Sequence, residues 1–192
     1  MSEAGVGYRG PADPSLSVEA LVKRLDDAQG VVAVDTETIS IKDRTCIGLS
    51  IALGPTESIY FRMLPDTSEF WQHAMRAVAR PDLTKVYHNA LFDLGVLSTV
   101  APHMYQPDVT NIADTSLISK VQGQPARLKD LAFDRLGLEI QAIDDILPAR
   151  HTMLDLFWGD VAFKCMQDST ATYRLYVDYP PEELPPNLLD CY

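Results

Sequence analysis

The sequence predicts an α/β domain, and three observations carry that prediction. Val31 to Val34 is an unbroken apolar run of strand length, as expected of a central strand covered on both faces. The segments around it alternate between helical and extended periodicity in the order αβββαβα. The composition of the 192 residues, 46% hydrophobic and 22% charged, suits one globular domain with room for a real core.

Each element follows from local pattern. Residues 1–15 are rich in Gly, Pro and Ser and read as a flexible N-terminal arm. Ser17 opens an amphipathic helix through Val18, Leu21, Val22 and Leu25 to about Asp27, and Gln29-Gly30 ends it. The Val31 to Val34 strand runs straight into Asp35-Thr36-Glu37, which puts acids at a buried strand's end. After a polar turn at Lys42-Asp43-Arg44, Cys46 to Leu53 and Ser58 to Met63 read as two strands joined through Gly54-Pro55 as an antiparallel hairpin. A helix is expected near residues 67–79, a short strand from Lys85 to His88, and a helix from about Ala90 to Val100. Val109 to Ala113 leads into Asp114 and another short helix. Leu128, Leu131, Ala132, Leu136 and Leu138 have helical spacing with Gly137 as a stop, and Val161 to Tyr176 gives a last helix. The domain is thus expected over 16–178, followed by a Pro-rich acidic tail over 179–192 that is neither regular helix nor central strand.

Charge narrows the function classes. With 16 Lys and Arg against 27 Asp and Glu, the net charge of −11 argues against a broad, sequence-independent grip on duplex DNA. Carboxylates that hold divalent cations would still let the chain meet a polyanion, because the ions then dominate the local field. Cys46, Cys165 and Cys191 form no C-x-x-C pair, so neither a disulfide framework nor a structural zinc site is expected, and a cytoplasmic setting fits. No run approaches the length of a membrane span, and no apolar export signal is visible.

The chemistry lies in spaced carboxylates. Asp35 and Glu37 are two apart, so on an extended strand both leave from one face. Asn89 and Asp93 are four apart at a helix start, sharing a face, with Asn89 also placed to cap the helix. Lys164, Asp168 and Thr172 repeat that spacing on the last helix. Like charges about 4 Å apart cost roughly 4 kcal/mol per pair at an effective dielectric of 20, so such a cluster needs cations or shared protons. Oxygen-only ligation favours magnesium or manganese over zinc. His73, His88, His103 and His151 show no metal spacing, and no nucleotide-binding Gly-rich loop or nucleophilic triad is present.

These residues also carry a resemblance. Val34-Asp35-Thr36-Glu37-Thr38 with Ile47-Gly48-Leu49-Ser50-Ile51-Ala52 resembles the first exonuclease motif of the proofreading domain of family A (bacterial polymerase I type) DNA polymerases. Val86 to Asp93, with Asn89, Phe92 and Asp93, resembles the second motif, and Gln167 to Thr172 the third. Ala113-Asp114-Thr115 and Leu128-x-x-Leu131-Ala132 fall at intermediate landmarks of the same family. The resemblance implies a ribonuclease H-like mixed sheet flanked by helices, in the DEDD exonuclease superfamily. It implies two divalent cations, Mg2+ or Mn2+, with Asp35 bridging both, Glu37 and Asp168 completing one site and Asp93 holding the other. The implied reaction is two-metal hydrolysis that releases 5'-mononucleotides from a single-stranded or frayed DNA 3' end. It further implies substrate contacts from Ile41 as an apolar wedge, from Phe92, and from Asn89 and the Thr36 backbone to the terminal nucleotide. Arg127 and Lys129 are candidates for phosphate contacts and equally for surface ion pairs.

One departure stands out. The superfamily places a helper Tyr four residues before the last Asp, or a His five before it, and here those positions are Lys164 and Phe163. On the helix Lys164 still faces the metal side, where it would hold the water or the scissile phosphate, or neutralise Asp168, or mark lost activity. Three functions are therefore carried forward: a DNA 3'-5' exonuclease, an RNA exonuclease of the same superfamily, and a degenerate module that binds nucleic-acid ends or a replication protein. A DNA polymerase or other replication protein is the expected protein partner.

Overall fold

The computed structural model describes residues 5–10, 16–100, 110–149 and 151–180. Within them a six-stranded mixed sheet has the order β1-β4-β3-β2-β5-β6. The strands are β1 (Val6–Arg9), β2 (Val31–Thr38), β3 (Cys46–Gly54), β4 (Glu57–Arg62), β5 (Thr84–Tyr87) and β6 (Ile112–Asp114). The first four pair antiparallel, whereas β5 and β6 continue parallel to β2. Among the described residues seven α-helices flank the sheet: α1 (Val18–Asp26), α2 (Trp71–Ala79), α3 (Ala90–Val100), α4 (Thr115–Val121), α5 (Leu128–Leu136), α6 (Ile143–Ile146) and α7 (Trp158–Asp178). Residues 6–9 differ from the expectation of a loose arm. Val6 is buried and pairs opposite Phe61, so this short segment gains a ladder along the β4 edge despite its flanking Gly and Pro. The tail from 181 onward lies outside the described residues.

The pleat of β2 sorts its side chains between two cores. Val32 and Val34 enter a cluster with Leu21 and Leu25 of α1, Met75 and Val78 of α2, and Leu97 of α3. Ala33 faces the other way, in a cluster with Ala52, Val86 and Ala113 against which Tyr173 and Tyr176 of α7 pack. Small residues on this face let the α7 backbone approach the sheet closely. Two hydroxyls then fix the helix: Ser50 Oγ donates to the Cys165 carbonyl at 2.8 Å and Ser58 Oγ to that of Met166 at 3.2 Å. Since Asp35 and Glu37 share the parity of Ala33, the same pleat aims both at α7. Opposite Glu37 on β3 stands Gly48, where a Cβ would fall 1.8 Å from the Tyr60 hydroxyl, so only glycine leaves room for that ring.

No helix among the described residues is long and apolar enough to cross a membrane.

Candidate active site

Three elements deliver the acids: β2 supplies Asp35 and Glu37, α3 supplies Asp93, and α7 supplies Asp168 with Lys164. Lys164 lies between two of them, its Nζ donating to Glu37 Oε1 and to Asp168 Oδ2, each at 2.8 Å. The lysine side chain is only 10% exposed, and its two partners are similarly buried. Asp93 is held from β2, where the Thr36 amide donates to its Oδ1 at 3.0 Å and the Thr36 hydroxyl at 2.6 Å. Asp35 Oδ2 and Asp168 Oδ1 are buried without any hydrogen-bond partner, a condition that native structures rarely leave unanswered.

The electrostatics follow from this crowding. Burial, then the charges of Asp168 and Glu37, push the Asp35 carboxyl well up, and Asp93 adds to it while Lys164 opposes. Burial also raises Glu37 and Asp168, with Lys164 pulling both back. Burial raises Asp93 to about 7 against the lowering effect of the Thr36 hydrogen bonds. Burial disfavours the Lys164 ammonium, yet Glu37 and Asp168 outweigh it and hold the lysine charged, well above its ordinary range. Oxygen donors, orphaned carboxylate atoms and an excess of negative charge suit a hard divalent cation beside Asp35. Asp35, Glu37 and Cys165 bring ligand atoms within 4.8 Å of one another. The Cys165 thiol is directed to the Asp35 carbonyl at 3.4 Å and burial pushes it well up, which makes it a poorer donor for a cation than the carboxylate oxygens.

The substrate candidates divide. A cleft of about 390 Å³ borders Thr36, Glu37, Ile41, Lys42, Phe92 and Lys164. Ile41 is 78% exposed, which excludes core packing as its role. Phe92 is partly buried against the core, and the Arg44 guanidinium sits 5.0 Å from its ring centroid. Of the Thr36 backbone, the N–H is committed to Asp93. Arg127 does not line this cleft and faces Asp130 at 3.9 Å, while Lys129 pairs with Asp145 at 2.8 Å. Lys42 and Arg44 were legible only as a polar turn.

Asn89 is not the cap that its spacing suggests. It precedes α3 with φ of 78°, a left-handed conformation that Asn tolerates, and its side chain is exposed. The capping group is Asp114 at the end of β6. Its carboxylate accepts from the Asn89 and Ala90 amides at 3.0 and 2.9 Å and from the Ser116 amide at 2.9 Å, serving the starts of both α3 and α4. Burial would raise this carboxyl, but those donors bring it below its usual value. Asp114→Ala is expected to destabilise the protein by about 2–4 kcal/mol, roughly two helix caps, which thermal unfolding would measure. His88, bonded to Thr115 Oγ1 and the Ala126 carbonyl at 2.8 Å each, is a local connector.

Residues 11–147 match the 3'-5' exonuclease family. That span exceeds half of the chain, so the chain belongs to this family, and with it to the DEDD exonuclease superfamily of nucleases. The match ends before α7, so Lys164 and Asp168 lie outside it. No curated protein matches the sequence. The fold is similar to that of the RRP6 catalytic core from Trypanosoma brucei, at a TM-score of 0.62 and 19% identity over 90% of this chain and 46% of that one. Escherichia coli RNase D, described as an exoribonuclease involved in structured RNA processing, gives 0.62 and 20% over 91% of this chain and 46% of that one. Brucella melitensis NrnC with bound Mg2+ gives 0.61 and 19% over 87% and 82%. This chain spans about half the length of the RRP6 core. The six-stranded sheet flanked by helices is the ribonuclease H-like arrangement.

Proposed function

We propose that the chain trims single-stranded or frayed DNA 3' ends to 5'-mononucleotides by metal-dependent phosphodiester hydrolysis. The observation that carries this reading is the cleft, a path whose lining includes Glu37 and Lys164 together with Ile41, Phe92 and Lys42. Apolar and aromatic faces suit unpaired bases, because every base has a π-face. On a chain of net charge −11, Lys42 and Arg44 put cations next to that path, where phosphates would lie. Asp35 and Asp93 would hold a divalent cation, Asp93 being fixed by Thr36. Glu37 and Asp168 are the remaining acids, in the set for which two ions of Mg2+ or Mn2+ are expected. When bound, such an ion supplies an acidified water and charge stabilisation at the phosphoryl group. Asn89, an exposed residue of the second motif, and Ile41 would orient the terminal nucleotide.

The choice of DNA rests on the likeness of residues 34–52 to the first motif of polymerase I type proofreading domains, and a polymerase or other replication protein belongs to the same proposal as partner. RNA is the second reading, favoured by the fold similarity to RNase D. Oligonucleotides of one sequence, labelled at the 5' end and made as DNA and as RNA, test both with Mg2+, Mn2+ or a chelator. A ladder shortening from the 3' end is expected, faster on single strands than on blunt duplex, blocked by a 3'-phosphate and lost with chelator. Immediate release of the 5' label as mononucleotide would overturn the polarity, and faster digestion of the RNA would transfer the assignment to the second reading.

A further inference from the structure

We infer that Lys164 is a built-in cation that takes the place of one divalent ion, so that this chain holds a single ion beside Asp35 rather than a pair. The inference rests on the exonuclease reading only for the expected number of ions; the geometry stands without it. The Lys164 ammonium lies 2.8 Å from Glu37 Oε1 and 2.8 Å from Asp168 Oδ2. It therefore sits where one cation would be shared by these two acids. Mg2+ at that point would need its oxygens at about 2.0–2.1 Å, and two cations cannot share the position with the lysine in place. A tyrosine or histidine near this helix turn leaves the acids to an external ion, whereas a lysine neutralises them from within.

The rest of the cluster is arranged for what remains. Asp35 Oδ2 is buried without a partner, and Asp93 presents a second carboxylate braced by Thr36. Asp168 Oδ1 is also unpaired while its other oxygen stays on the ammonium, and the Asp168 charge bears on Asp35. The lysine stem packs in the helix that Ser50 and Ser58 pin to the sheet, which fixes where the ammonium is delivered. Among the described residues no other Lys or Arg pairs with any of the four acids.

Counting ions tests this without reference to turnover. Mn2+ titrated into the full chain and followed by calorimetry and by the loss of its free-ion resonance signal should give one bound ion per chain. Lys164→Met, which keeps the stem and removes the charge, should give two. Thermal unfolding in chelator should find Lys164→Met less stable than the parent, with Mn2+ raising its melting temperature by more than that of the parent. Should the variant fail to fold, anomalous scattering from parent crystals soaked in Mn2+ decides: one site beside Asp35 with the ammonium still between Glu37 and Asp168 is expected. Two sites of similar affinity in the parent, or two anomalous peaks with the lysine displaced, would overturn the inference, as would a folded Lys164→Met that still binds one ion. If the counts come out as expected but neither protein degrades nucleic acid, the exonuclease reading fails and the role of Lys164 stands.

Discussion

Asp35→Asn should reduce hydrolysis of a nucleic-acid 3' end by on the order of 10³-fold or more, and should weaken Mn2+ binding in step. The side chain is nearly isosteric, so the fold is retained and the change is one of charge. Asp35 Oδ2 is the buried oxygen that has no hydrogen-bond partner, and the charges of Asp168, Glu37 and Asp93 all bear on this carboxyl. A metal contribution of several kcal/mol to the transition state converts to about a factor of ten for each 1.4 kcal/mol lost. Calorimetry and a rate measurement on one preparation check both halves. A variant that keeps near-parent activity would place the metal elsewhere.

Asp93→Asn should make the metal-free protein more stable at alkaline pH while it removes activity. Burial raises Asp93 from 3.8 to about 7 in the folded chain despite the Thr36 hydrogen bonds. The folded state then keeps a proton that the unfolded chain releases near pH 4. Stability contributed by the neutral acid is full below that pH and is lost progressively as the pH rises through 7. Across about three pH units the loss is about 4 kcal/mol. Asparagine retains an oxygen to accept both bonds from Thr36 without the charge. In chelator, the difference in melting temperature between variant and parent should therefore widen from pH 5 to pH 8 in favour of the variant. A gap that stays constant would mean that Asp93 titrates normally.

How much of this was legible in the sequence depended on whether the signal was local. The β2 strand and its acids were, because an apolar run that ends in Asp-x-Glu contains both the burial and the parity of the side chains. The bounds of α1 and α3 were also close, since Ser17 caps α1 and the second motif leads into α3. The antiparallel pairing of β3 with β4 was legible in the Gly54-Pro55 turn, and the mixed character of the sheet in the resemblance, whereas the order of the strands was not. By contrast, β1 owes its strand to an edge supplied by β4, a partner about fifty residues away. The cap of α3 comes from Asp114, so no pattern around Asn89 contained it. Arg44 beside Phe92 depends on the turn after β2 folding back over α3, and Lys164 could be placed on the metal side by helix spacing, although its bond to Glu37 crosses 127 residues.

The placement of α7 has a consequence for the order in which the molecule can be made. This helix is the last described element, yet it lies against β2, β3 and β4 and brings Asp168 and Lys164 to acids laid down more than a hundred residues earlier. Domains emerge from synthesis N-terminus first, and contacts between distant segments form late because their loop entropy must be met before they gain anything. Until α7 docks, a nascent chain has Asp35, Glu37 and Asp93 without Asp168, and the Ala33, Ala52 and Val86 face lacks its cover. On the proposed reading, in which Asp168 is one of the acids that hydrolysis needs, an unfinished chain would lack that acid until α7 is made and docked.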